Sequence, residues 1–125
     1  MYTLALQRDI VARHFLVGGD WGPENLPHPH DYKIEIQVSG PELDKYGYLV
    51  DIVHLDAQIE HILASYKGAL LNELPQFAGL NPSIEHFARI IVTHLRKSTS
   101  LPALARLRVQ IWESDTAWAS YSEGY

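Results

Sequence analysis

The sequence has no cysteine, and that one absence removes disulfides, thiolate metal ligands and a cysteine nucleophile together. It has no apolar run of membrane-spanning length, and its N-terminus lacks a basic segment followed by an apolar stretch. No membrane partner is expected, and with nothing marking export the expected location is cytoplasmic. Positive charge is in the minority: 10 Lys and Arg stand against 15 Asp and Glu, giving a net charge of -5 with the histidines neutral. That balance argues against nucleic acid as a partner. No repeat, low-complexity tract or linker divides the chain. What remains, 46% hydrophobic residues in a length of 125, fits one domain over residues 1–125 with a real core.

The most informative stretch runs from Leu26 to Val38. Tyr32, Ile34, Ile36 and Val38 alternate with Lys33, Glu35 and Gln37, the period of a half-buried strand. Carried backwards, the same parity takes in His28 and His30, separated by a stiffening proline. Two imidazoles at i and i+2 on extended backbone point the same way and can share one cation. An open tetrahedral zinc site needs a third protein ligand. Upstream, Tyr2 to Leu16 reads as a strand or pair of strand segments, with His14 on the parity of Ile10, Ala12 and Leu16. His14 is either a satisfied histidine of a half-buried strand or that third ligand. Val17 to Pro27 is a turn-rich connection of functional length.

Downstream, Leu55, Ile59, Ile62, Leu63, Tyr66 and Leu70 recur at helical spacing and predict a helix over Leu55 to Leu71. Asp56 and Glu60 fall near its start, where the helix dipole favours negative charge. Asn72 to Gly79 reads as a loop. Asn81-Pro82-Ser83 resembles a helix start with an Asn cap, and Ile84, Phe87, Ala88, Ile91 and Leu95 give the stripe of a second helix ending near Arg96-Lys97. Leu107, Val109 and Ile111 mark a further strand, with Glu113 on the same apolar parity. Either that face has reached solvent at Glu113, or the carboxylate awaits a ligand. Ser114-Asp115-Thr116 is a short turn, and Ala117 to Tyr121 is the returning strand. Strand, strand, helix, helix, strand, strand indicates an α+β fold, a four-stranded antiparallel sheet with two helices on one face. Its two long edges must be hidden, most simply by self-association.

Several of these segments together resemble one family, that of 6-pyruvoyl-tetrahydropterin synthase and 6-carboxytetrahydropterin synthase. Ala12-Arg13-His14 is similar to the family's first-strand Ala-x-His, and His28-Pro29-His30-Asp31-Tyr32 to its His-Gly-His-Asn-Tyr box with proline for glycine. Gly47-Tyr48-Leu49-Val50-Asp51-Ile52 is similar to a Gly-x-x-x-Asp-Phe turn. Leu71-Asn72-Glu73-Leu74-Pro75, then Asn81-Pro82-Ser83-Ile84-Glu85, follow in family order. Ile111-Trp112-Glu113-Ser114 with Trp118-Ala119-Ser120-Tyr121 resembles the strand-turn-strand ending. The resemblance runs nearly end to end.

It implies a tunnelling fold, in which trimers close a twelve-stranded β-barrel and two trimers stack into a homohexamer. It implies zinc on His14, His28 and His30, and a pterin whose guanidine-like edge is anchored by Glu113, with Ser83 at a position near the pterin. The implied activity is that of a zinc-dependent lyase or synthase, breaking carbon–oxygen or carbon–carbon bonds of dihydroneopterin or its triphosphate; folate, queuosine and biopterin-like routes all draw on this family. Two family features are replaced. Glu24 stands about where the catalytic cysteine lies, and Lys67-Gly68 stands where an Asp-His pair precedes the Leu-Asn. One branch of the family uses glutamate for the cysteine, so Glu24 is the candidate catalytic base, against its reading as a solvated loop residue. The alternative function is a zinc- and pterin-binding family member with a diverged reaction or none.

Overall fold

Two strands of 13 residues, β1 (Tyr2–His14) and β2 (His28–Gly40), form the spine of the computed structural model, which describes residues 1–124. They pair antiparallel without interruption from Tyr2↔Gly40 to His14↔His28. Alternation drives the pairing. The inward set Tyr32, Ile34, Ile36 and Val38 is buried, whereas Asp31 and Lys33 on either side of Tyr32 are exposed. β3 (Arg106–Ser114) adds to β2, and β4 (Ala117–Gly124) returns along β3, so the antiparallel order is β1-β2-β3-β4. Polar ties outside the core hold the same register: Thr3 Oγ1 lies 2.9 Å from Ser39 Oγ, and Gln7 donates to Glu35 at 2.9 Å.

Two helices cover the inward face, α1 (Ile52–Leu63) and α2 (Ile84–Ser98). Leu55, Ile59 and Ile62 of α1 and Phe87, Ile91 and Leu95 of α2 share one core with Ile34, Ile36, Val109 and Ile111 of the sheet. The α+β class, the antiparallel sheet and the two-helix layer are as the sequence indicates. Among the described residues no helix is long and apolar enough to cross a membrane.

The helix boundaries differ from the sequence expectation for local reasons. α1 starts at Ile52 because Asp51 caps it, accepting from the N–H groups of Val53 and His54. It ends at Leu63 rather than Leu71: Ser65 and Tyr66 already bond three residues back, and Gly68 turns the chain at φ 70. That left-handed turn, open to glycine without strain, lets Gly68 donate to Val11 O at 2.7 Å and Ala69 accept from Arg13 N at 2.8 Å. The chain thus leaves the helix to cover part of the β1 edge. Asp56 and Glu60 serve an ion pair with Arg8 of β1 rather than the helix dipole. In α2 the cap is Ser83 and not Asn81. The Ser83 hydroxyl accepts from His86 N–H, and Pro82 keeps Asn81 outside the helix.

Freed from capping, Asn81 helps to fix the segment that follows His14. Asn72 accepts from Phe15 N–H and donates to Phe15 O, both at 2.9 Å. Leu16 N–H donates to Glu24 O at 2.8 Å, Asn25 donates to Leu16 O at 3.1 Å, and Asn81 accepts from Val17 N–H at 3.1 Å. Backbone groups without a strand partner are thereby satisfied by asparagine side chains and, at Leu16 N–H, by the Glu24 carbonyl. Asn72→Ala strands both polar groups of Phe15 and should lower stability by about 1–3 kcal/mol in urea unfolding of the metal-free protein. An unchanged unfolding midpoint would show that this clamp does not hold the segment.

Candidate functional site

The β1–β2 register places His14 directly opposite His28, with His30 diagonal to it and opposite Ala12. Directly paired residues have Cβ atoms about 5 Å apart. The small Ala12, fully buried, leaves the space above it to the His30 ring. The ring centroids lie 4.6 Å (His14–His28), 5.4 Å (His14–His30) and 6.4 Å (His28–His30) apart. The remaining four histidines do not join them: His54 and His61 lie on α1, and His86 and His94 on α2.

Each of the three rings has its Nδ1 beside an oxygen. His28 Nδ1 is 2.9 Å from Leu26 O, His30 Nδ1 is 3.3 Å from Asp31 O, and His14 Nδ1 is 2.6 Å from the Tyr32 hydroxyl. This is the outer support that metal-binding histidines commonly have, with Nε2 left for coordination. His14 is 4% exposed, and its pKa is pushed down to about 4, by burial first and then by His28 and His30. It is therefore neutral at ordinary pH, the form a metal requires.

Three imidazoles bound to one tetrahedral zinc would have their ring centres about 5 Å apart, given Zn–N of about 2.1 Å. The observed separations bracket that value, so three imidazoles of the kind zinc takes lie near one another. As they stand, no group of three or more His, Cys, Asp or Glu among the described residues is placed to hold a metal ion.

Glu113 lies beside this cluster, Oε1 3.9 Å from His30 Nε2. It is the extra residue where the β3–β4 register shifts between Trp112 and Ser114. Such a bulge re-aims a side chain. Its inward-parity neighbours Leu107, Val109 and Ile111 are buried, but the Glu113 side chain remains 46% exposed because the regular ladder ends there. Tyr32 and Glu113 also border a cleft of about 340 Å³ lined otherwise by Asp9, Asp31, Lys33, Trp112, Ser114 and Asp115, which takes in none of the three histidines. A larger cleft, about 480 Å³, lies along α2 around Arg89 and Lys97 and contains none of the candidate residues.

Glu24 sits in a 3-10 turn, Gly22–Asn25, with its side chain exposed and its carbonyl bonded to Leu16 N–H. The backbone is thus tied close to His14, while no hydrogen bond or ion pair joins its carboxylate to the rings. Ser83 is half-buried and engaged as the α2 cap. The sequence reading missed Asn25, Asn72 and Asn81 as fasteners of the site's connection. Their signal was faint: asparagines beside turns, where side chains commonly bond backbone. It also passed over the Tyr32 hydroxyl, whose position on the histidine parity was in plain view.

The chain matches the family model described as 6-pyruvoyl tetrahydropterin synthase over residues 3–124. It is 33% identical over 79 residues to 6-carboxy-5,6,7,8-tetrahydropterin synthase of Bacillus subtilis, covering 62% of this chain and 52% of that protein. The match therefore spans about half the length of that relative. The fold is similar to that of 6-pyruvoyl tetrahydropterin synthase from Caenorhabditis elegans, with a TM-score of 0.85 at 18% identity over 98% of this chain and 96% of that one. It is also similar to a Plasmodium vivax 6-pyruvoyltetrahydropterin synthase in which a catalytic glutamate is replaced by alanine, with a TM-score of 0.75 at 14% identity over 99% and 98% of the two chains. With a family model matched over almost its whole length, the chain belongs to the 6-pyruvoyl tetrahydropterin synthase family.

Proposed function

We propose that the protein is a zinc-dependent pterin lyase or synthase acting on dihydroneopterin or dihydroneopterin triphosphate. The observation that carries this reading is the gathering of His14, His28 and His30 around one space, with the Glu113 carboxylate at its rim. These three histidines would hold the zinc, whose Lewis acidity would lower the pKa of the substrate's side-chain hydroxyls. Glu113 would accept from two adjacent N–H groups of the pterin ring, a bidentate, charge-assisted pair that specifies that edge. Ser83 supports the pterin by its hydroxyl or its backbone.

The proton must then move between carbon and oxygen positions of the side chain, which calls for a positioned acid or base. No thiol exists in this chain, and Lys67-Gly68 offers no Asp-His relay. Lys67 instead pairs with Glu60 at 3.6 Å, and Gly68 is committed to the β1 edge. We assign the role to Glu24. In support, its turn is tied to the segment after His14, and the Plasmodium vivax relative has a catalytic glutamate. The missing relay favours one second reading, a diverged reaction on a related bicyclic substrate. Single-turnover product analysis of the zinc-loaded protein on both dihydropterins separates the two: a pterin product supports the first reading, and binding of both without turnover would contradict it.

Glu113→Gln should keep zinc and assembly yet weaken pterin binding by about 2 kcal/mol or more, because its amide brings an N–H to face a donor. Equal affinity in calorimetry would remove Glu113 as the anchor. Glu24→Gln should preserve zinc and pterin binding while slowing turnover by about 100-fold or more. Turnover at the parental rate would exclude it. We also propose a homohexamer of two stacked trimers, supported by the β4 edge and by a β1 edge that Gly68–Leu70 cover only near Arg13. Sedimentation should give the mass of six chains, and a monomer at micromolar concentration would refute it.

A further inference from the structure

Tyr32 is 1% exposed, and most of its environment would suit phenylalanine equally well. Its ring meets Phe87 of α2 edge-on at 5.3 Å and stacks on His30 at 5.0 Å with planes 20° apart. A buried phenol needs a hydrogen-bond partner. Here that partner is His14 Nδ1, at 2.6 Å.

The three outer oxygens differ in kind. Leu26 O and Asp31 O, beside His28 and His30, are carbonyls that can only accept. The Tyr32 hydroxyl can donate or accept. It can therefore donate to a bare His14 Nδ1 when Nε2 has the proton, and accept from Nδ1–H when Nε2 is bare for a ligand. We propose that the Tyr32 hydroxyl is the positioning group for His14, holding the most buried of the three rings over the other two and satisfying its Nδ1 both with and without metal. The inference rests on the reading of these histidines as a zinc site and adds a residue that acts only through His14.

Zinc affinity is measured by competition with a chromophoric chelator for the parent, Tyr32→Phe and His28→Ala. Tyr32→Phe fills nearly the same space, so the metal-free variant should retain its far-ultraviolet spectrum, while its zinc affinity falls 10- to 100-fold, as for loss of other outer-shell partners. In the zinc-loaded parent, proton magnetic resonance should show a downfield His14 Nδ1–H signal in through-space contact with the Tyr32 ring. A purely packing role for Tyr32 would not produce that signal. Equal zinc affinity in the parent and Tyr32→Phe, or absence of the signal from a zinc-loaded parent, overturns the inference while leaving the metal site intact. A parent whose zinc binding is weak and indifferent to His28→Ala refutes the site and the inference together.

Discussion

The uninterrupted register of β1 on β2 is the constraint on which the site depends. A slip of one residue would send every inward side chain, histidines included, to the opposite face. A slip of two would preserve the faces but move His14 about 7 Å along β2, out of line with His28. The core enforces the register, since Ile10 sits against Tyr32, Leu6 against Ile36 and Leu4 against Val38. Hydrophobic burial distributed over the length of two strands is thereby converted into the placement of three imidazoles at one end. The helices contribute indirectly, by closing the core over Ile34 and Ile36 and by bringing Phe87 against Tyr32.

The connection after His14 has the opposite character. It has few core contacts of its own, and asparagine side chains fasten it residue by residue, through Phe15, Leu16 and Val17. Such a segment can present functional groups because its backbone is held while its outward side chains, Glu24 among them, stay unencumbered. In β3, the bulge at Glu113 breaks the β3–β4 ladder and leaves that carboxylate accessible beside His30. The histidines stand on paired strands and the carboxylates on a turn and a bulge, an arrangement that suits the proposed binding of a substrate.

Much of this was legible in the sequence, because strand parity is a local property. The alternation through Tyr32, Ile34, Ile36 and Val38 marked β2 and its inward face, and the same count assigned His14, His28 and His30 to that face. Parity alone could not show that they meet, since that depends on pairing register, a non-local quantity; the family resemblance supplied that expectation. The end of α1 was misread for a related reason. Tyr66 and Leu70 keep the helical count, but Gly68 and Ala69 bond the β1 edge, a tertiary demand invisible to periodicity. The α2 cap was misplaced because Asn81 and Ser83 are both good caps and only the fold assigns Asn81 to Val17. Parity singled out Glu113 but left it between solvent and a ligand, and its bulge came only with the partner strand.

The central claim is that His14, His28 and His30 form one metal centre. X-ray absorption at the zinc edge, on protein loaded with one equivalent of zinc, tests it directly. The account predicts a first shell of nitrogen and oxygen at about 2.0 Å with outer-shell scattering from three imidazoles, reduced when His14 is replaced by alanine. A shell without imidazole scattering, or one unchanged in the His14→Ala protein, would contradict it.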